Sequence, residues 1–224
     1  VKELTKRTLS GTLFVILLIT CIQHKYACVA LFYVFGLVCL TEFNKLIKQK
    51  SSASYLIFTS VFLLFALGEL LFYSTEIINQ VSQIFHVLSI FVTLFLIRDL
   101  FSSRELPNLI SNQFINTTFY ISSGFVFLIL IAFNFGDYNP QIILGIFILI
   151  WANDSFAYLI GKNFGKQKLF ASISPKKTVE GFLGGVFFSA IGSYFIALIA
   201  PSLSFTNWLI ISVLVSVFGT LGDL

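Results

Sequence analysis

The feature that most constrains this chain is a series of apolar runs of about twenty residues, each almost free of charge. Eight can be marked, at about 8–22, 26–43, 54–73, 78–97, 114–134, 141–160, 179–199 and 206–222. At 1.5 Å rise per residue, a helix of that length matches the roughly 30 Å hydrocarbon core of a bilayer. The composition agrees: 57% of residues are hydrophobic and 11% charged, whereas an ordinary soluble domain is about one-quarter charged. Transmembrane β-barrels show short alternating segments instead, and none are evident. The expected architecture is therefore an all-α, polytopic integral membrane protein with about eight transmembrane helices. It reads as one helical membrane domain over 1–224, with amino-terminal spans over 1–110 and site-bearing spans over 111–224. No nucleic-acid partner is expected, because the basic residues fall in short loops between spans.

Those basic residues also orient the chain. With the amino terminus in the cytosol, every one of the 14 Lys and Arg residues except Lys25 falls on the cytosolic side, as the positive-inside rule requires. The loop between the sixth and seventh spans and the chain's end at Gly222-Asp223-Leu224 then share that side. A cleavable signal peptide is not expected, since no small-residue cleavage site follows the basic start. Cys21, Cys28 and Cys39 lack metal-ligand spacing and read as reduced, small apolar residues.

Several polar residues have plain structural readings. His86 stands alone in the fourth span and reads as a hydrogen-bonded interior histidine. Glu69, near the outer end of the third span, is placed to snorkel. Arg98-Asp99 and Arg104-Glu105 read as a solvated loop, with Pro107 helping to end the helix. Tyr26, Tyr33, Tyr55 and Tyr73 fit interfacial anchors.

The chemistry concentrates between Trp151 and Gly185. Asp154 lies inside an apolar run, where an ionised carboxylate costs about 2.5–3.5 kcal/mol unless paired, solvated or metal-bound. It precedes Lys162 by eight residues, about 12 Å along a helix, and shares a helical face with Trp151 and Tyr158. Asn153 and Ser155 lie alongside. Downstream, Ser174-Pro175-Lys176-Lys177-Thr178-Val179-Glu180-Gly181 brings two ammonium groups, hydroxyls and a carboxylate together. Ser174 is predicted as an N-cap with Pro175 opening the seventh helix. Free N–H groups there, with Lys176, Lys177 and Thr178, would make an anion site. Glu180 could bind a cation or orient a lysine. Gly181, Gly184 and Gly185 admit either a ligand or a second helix. The spacing is not that of a P-loop.

Asp154-Ser155-Phe156-Ala157-Tyr158, then Gly161, then the Ser174–Gly181 stretch with Gly184-Gly185, resembles the phosphatidate cytidylyltransferase (CDP-diacylglycerol synthase) family. Gly222-Asp223 resembles the start of the family's carboxyl-terminal signature, which continues beyond the point where this chain stops. The resemblance implies an integral membrane enzyme that uses CTP and phosphatidate to give CDP-diacylglycerol and pyrophosphate, with Mg²⁺ as cofactor. It implies catalytic roles for Asp154, Lys177, Glu180 and Asp223, with Asp223 and Asp154 toward the metal. Ser174, Lys176, Lys177, Thr178 and Gly181 would bind substrate. The bilayer is the expected setting, specifically a bacterial plasma (inner) membrane with the site facing the cytosol, and a homodimer is one assembly open to such a chain. The 224-residue chain alone is expected to fold into membrane without turning over CTP, because the rest of the signature lies outside it. Two other readings stay open on the residues: a CTP-dependent polyprenol or lipid kinase, and a transporter or channel with Asp154 on its ion path.

Overall fold

The computed structural model describes residues 2–48, 52–71, 76–101, 112–133 and 137–223. Nine α-helices are described, in the order α1 (Lys2–Ile22), α2 (Lys25–Leu46), α3 (Ala53–Leu71), α4 (Glu76–Leu100), α5 (Gln113–Asn116), α6 (Ser123–Ala132), α7 (Pro140–Phe164), α8 (Val179–Ile199) and α9 (Phe205–Gly222). A π-helical turn, Thr117–Ser122, joins α5 to α6, and Ser122 Oγ donates to the Thr117 carbonyl at 2.8 Å across it. Among the described residues, seven stretches are long and apolar enough to cross a membrane, and Leu9–Ile22 of α1 is a shorter apolar helix. The all-α membrane architecture thus matches the expectation, with the first of the eight runs the marginal one.

These helices expose what soluble helices bury. Leu13, Leu56, Ile84, Val87, Leu183 and Phe187 are each more than half exposed, as lipid-facing side chains should be when the solvent is hydrocarbon. The interior contains small and polar groups such as Ser189, Ser193, Ser212 and Ser216. Such residues let helix backbones approach closely, which drives association where no hydrophobic force acts between helices.

The chain divides into two compact units, Val1–Pro140 and Gln141–Leu224. The division anticipated at residue 110 therefore falls inside the first unit. The span Gln113–Ala132 belongs there because Val126 packs with Phe65 of α3 and Phe85 of α4 in one buried cluster. Within this unit Asn44 Nδ2 donates to Ser54 Oγ at 2.9 Å, and the Tyr33 and Thr59 hydroxyls pair at 3.1 Å. Tyr33 and Tyr55 are thus interhelical hydrogen-bonding groups rather than anchors, since Tyr55 also donates to Thr41. Tyr26 is 66% exposed beneath the Lys25 ammonium, as an anchor should be. His86 bonds to the Ser82 carbonyl one turn back and stacks on Phe127, as a structural histidine does. Glu69 keeps Oε2 buried, so it does not snorkel fully into water. The three cysteines are free. Arg104, Glu105, Pro107 and Tyr73 lie outside the described residues.

In the second unit, α7, α8 and α9 meet around Trp208, which is fully buried with Ile142, Leu149, Ile196 and Ala200. The indole N–H donates to the Ala200 carbonyl at 3.1 Å, so burying this ring strands no donor. Between α7 and α8 lies an antiparallel hairpin, β1 (Lys168–Phe170) and β2 (Ser174–Thr178), with Lys168 opposite Thr178 and Phe170 opposite Ser174.

The hairpin corrects the expected start of the seventh span's helix. Ser174 is not its N-cap, and Pro175 does not open it; both lie in β2. The cap is Thr178, in extended conformation, whose hydroxyl accepts from Gly181 N at 3.2 Å. Either residue could cap, since a cap residue is itself extended, and it is the pairing of β2 with β1 that keeps Ser174 in the strand. The chain therefore continues as strand until Thr178, which is β-branched and also able to cap.

Candidate active site

α7 ends where Gly165 N bonds back to the Gly161 carbonyl at 3.1 Å. A side chain at Gly165 would meet that carbonyl oxygen at 2.2 Å and Thr178 Oγ1 at 2.8 Å, so only glycine fits this turn. The hairpin then brings β2 back across the end of α7, and α8 descends against it. Gly181 packs on α7 so closely that a Cβ there would be 2.8 Å from the Ala157 carbonyl oxygen and 3.1 Å from Gly161 Cα. The space freed by the missing side chain of Gly181 is thus taken up by helix packing.

These elements enclose a cavity of about 480 Å³. Asn153, Asp154, Tyr158 and Lys162 border it from α7, Lys176, Lys177 and Thr178 from β2, and Asp223 from the end of α9. Leu169 and Phe182 supply apolar walls. Most of the residues singled out in the sequence therefore converge, namely Asp154, Lys176, Lys177, Thr178, Gly181 and Asp223. Ser174 and Glu180 are not on the cavity wall.

Each polar group has a definite neighbour. Asn153 is buried and donates through Nδ2 to Asp154 Oδ1 at 3.2 Å. Asp154 itself is exposed and borders the cavity, so its carboxylate is open to whatever fills that space. Lys177 donates to the Thr220 carbonyl at 3.0 Å, and its ammonium lies 3.7 Å from Asp223 Oδ2. Thr220 O is one of the last carbonyls of α9, which have no partner within their own helix. A cation there also opposes the negative end of the helix dipole. Asp223 is 68% exposed, so the charge pair itself contributes little. Lys162 lies 5.8 Å above the Tyr158 ring at the cavity's edge.

Thr178 borders the cavity, but its hydroxyl oxygen is engaged in capping α8. Glu180 points to the turn before β1, where it accepts from Lys166 N and Gln167 N. Sequence reasoning missed the hairpin, the apolar walls Leu169 and Phe182, and the Thr220 main-chain carbonyl. None of these had a distinguishing local signal, because the extended bias that Pro175 imposes on Ser174 suits a helix cap as well as a strand.

A metal would find two carboxylates here, Asp154 and Asp223. Among the described residues, no group of three or more His, Cys, Asp or Glu side chains forms a preassembled metal site. That donor set fits Mg²⁺, which takes one or two carboxylates and fills its shell with water and substrate phosphates. It does not fit a structural zinc, which wants four protein ligands. In total, the cavity offers ammonium groups for phosphate, carboxylates for a hard cation, and apolar walls.

Comparison with known proteins gives this constellation a context. A phosphatidate cytidylyltransferase of Bacillus subtilis is 32% identical over 228 aligned positions, covering 99% of this chain and 82% of that protein. One from Aquifex aeolicus is 44% identical over 112 residues, covering 50% of this chain but 41% of that protein. One from Staphylococcus saprophyticus is 38% identical over 107 residues, covering 47% of this chain and 39% of its relative. The chain thus matches less than half the length of the latter two curated relatives. The sequence model of the cytidylyltransferase family matches residues 5–224, and by that match the chain belongs to the cytidylyltransferase family.

Proposed function

We propose that this membrane protein transfers the cytidylyl group of CTP to phosphatidate, giving CDP-diacylglycerol and pyrophosphate. The observation that carries the reading is the convergence of Lys176, Lys177, Asp154 and Asp223, from β2, α7 and α9, on one cavity. A phosphate oxygen of phosphatidate forms a bond to the α-phosphorus of CTP, and the bond from that phosphorus to the bridging oxygen of pyrophosphate breaks. Such a displacement needs alignment and charge neutralisation more than a covalent intermediate. Lys176 and Lys177 bind nucleotide phosphates, Lys177 through the N–H groups that its bond to the Thr220 carbonyl leaves over. Asp154 and Asp223 would hold Mg²⁺, which when bound would offset charge on phosphate oxygens. Asn153 fixes the Asp154 carboxylate by its hydrogen bond. The apolar walls at Leu169 and Phe182 shield the reacting groups from water.

The positive-inside pattern supports a cavity that opens toward the cytosol, where CTP is available, and the bacterial relatives support a plasma-membrane setting. The test uses the full-length protein, rather than residues 1–224 alone, purified in detergent with phosphatidate and Mg²⁺, and CTP labelled either in cytidine or at the γ-phosphate. Cytidine label in the lipid fraction is the expected result. Label from the γ-phosphate instead would identify a lipid kinase. Ion flux in liposomes that ignores nucleotide, with no labelled lipid, would identify a transporter.

A further inference from the structure

We infer that Glu180 is a positioning residue, whose carboxylate clamps the turn at 165–167 to the first turn of α8 and so holds the hairpin lysines at the cavity. Both carboxylate oxygens are in use. Oε2 accepts from Lys166 N at 3.0 Å, and Gln167 N reaches Oε1 and Oε2 at 3.2 Å each. The link is reciprocal, because Val179 N donates to the Gln167 carbonyl at 2.9 Å. Residues 166 and 167 are thus tied to residues 179 and 180 by main chain and side chain together, which closes the base of the hairpin.

The geometry around this clamp has one purpose. Two-stranded hairpins are marginal by themselves in water, and this one carries Lys176 and Lys177 on β2. At its base, Gly165 fits only without a side chain, against the Gly161 carbonyl and Thr178. Thr178 in turn caps α8. A carboxylate in the first turn of α8 is favoured by the helix dipole, and paired amides make it a strong acceptor site. Lys176, Lys177, Thr178, Gly181 and Phe182 border the cavity, while Glu180 among them does not. Its sequence position inside the basic stretch suggests a ligand; its contacts make it the strut on which the lysines depend. The inference rests on the proposed function only for what those lysines bind.

The experiment compares wild type, Glu180→Ala and Glu180→Gln as the full chain in lipid nanodiscs. Amide hydrogen exchange is followed at residues 165–168, and CTP binding is titrated at several Mg²⁺ concentrations. Glu180→Ala is expected to lose at least about tenfold in protection at Lys166 and Gln167, and about tenfold in CTP affinity. The Mg²⁺ concentration for half-maximal binding should not move. Glu180→Gln keeps a carbonyl oxygen as acceptor and should recover most of both losses. Unchanged protection in Glu180→Ala overturns the clamp. So does a Glu180→Gln protein that keeps protection but needs far more Mg²⁺, since the charge would then be meeting the cation. If wild type binds no CTP yet Glu180→Ala loosens the turn, the clamp stands and the functional reading falls.

Discussion

In the amino-terminal unit, several polar groups inside the helices meet one another: Asn44 with Ser54, Tyr33 with Thr59, His86 with the Ser82 carbonyl, while Asn44 Oδ1 and Glu69 Oε2 are buried singly with no hydrogen-bond partner among the described residues. In the carboxyl-terminal unit, Asp154, Lys176, Lys177 and Asp223 instead turn toward a cavity of about 480 Å³. Both units bury apolar clusters, one around Phe65, Phe85 and Val126 and the other around Trp208. The difference lies in what the polar groups still have to give. A hydroxyl paired with a hydroxyl across two helices has spent its bonding on packing. A carboxylate or ammonium at a cavity wall retains bonding capacity for a ligand. Function in an apolar chain is therefore read from charged groups that converge on one cavity, not from polar groups as such.

The largest effect should come from the carboxylates. Asp223→Asn and Asp154→Asn are each expected to lower turnover by about 10²–10³-fold, with helical content and thermal unfolding unchanged. Steady-state rates of the full-length protein with saturating CTP measure this. A mild, equal loss from both would place the charge chemistry elsewhere and erase the contrast between the units.

Next comes Lys177→Ala. Loss of a charge-assisted phosphate contact should weaken CTP binding by about 10–100-fold, with Lys176 nearby retaining part of the attraction. Titration of nucleotide binding checks it. Lys177 also satisfies the Thr220 carbonyl, so Lys177→Arg should restore the link to α9 better than it restores nucleotide affinity.

A packing substitution in the same unit tests whether the cavity depends on the α7–α8 seam. A Cβ at Gly185 would lie 2.6 Å from Asn153 Oδ1, the residue that holds Asp154. Gly185→Leu should cost about 1–3 kcal/mol of stability by overpacking, and should reduce turnover beyond that loss by displacing Asn153. Thermal denaturation and activity at a temperature below the transition separate the two effects.

The smallest effect is expected in the amino-terminal unit. Asn44→Leu and His86→Phe should change stability by about 1 kcal/mol or less, leaving the nucleotide affinity of the folded protein unaltered. A large activity loss with stability intact would show that this unit also contributes to the chemistry.

The sequence by itself determined the membrane architecture and most of the cavity's residues. Hydrocarbon cannot hydrogen-bond to backbone, so long apolar runs must be helices, and their number and approximate positions can be read directly. Charges inside such runs, like Asp154, stand out because they are costly there. The tertiary structure alone decided how the Ser174–Gly181 stretch divides its labour. Local rules allowed Ser174 or Thr178 to cap α8, and the pairing of β2 with β1, a non-local term, gave the cap to Thr178. The same pairing put Lys176 and Lys177 on the cavity wall and left Glu180 facing the amides of Lys166 and Gln167. Neighbours in sequence come to face different partners because a strand and a helix meet between them, and a side chain's direction depends on which of the two it belongs to.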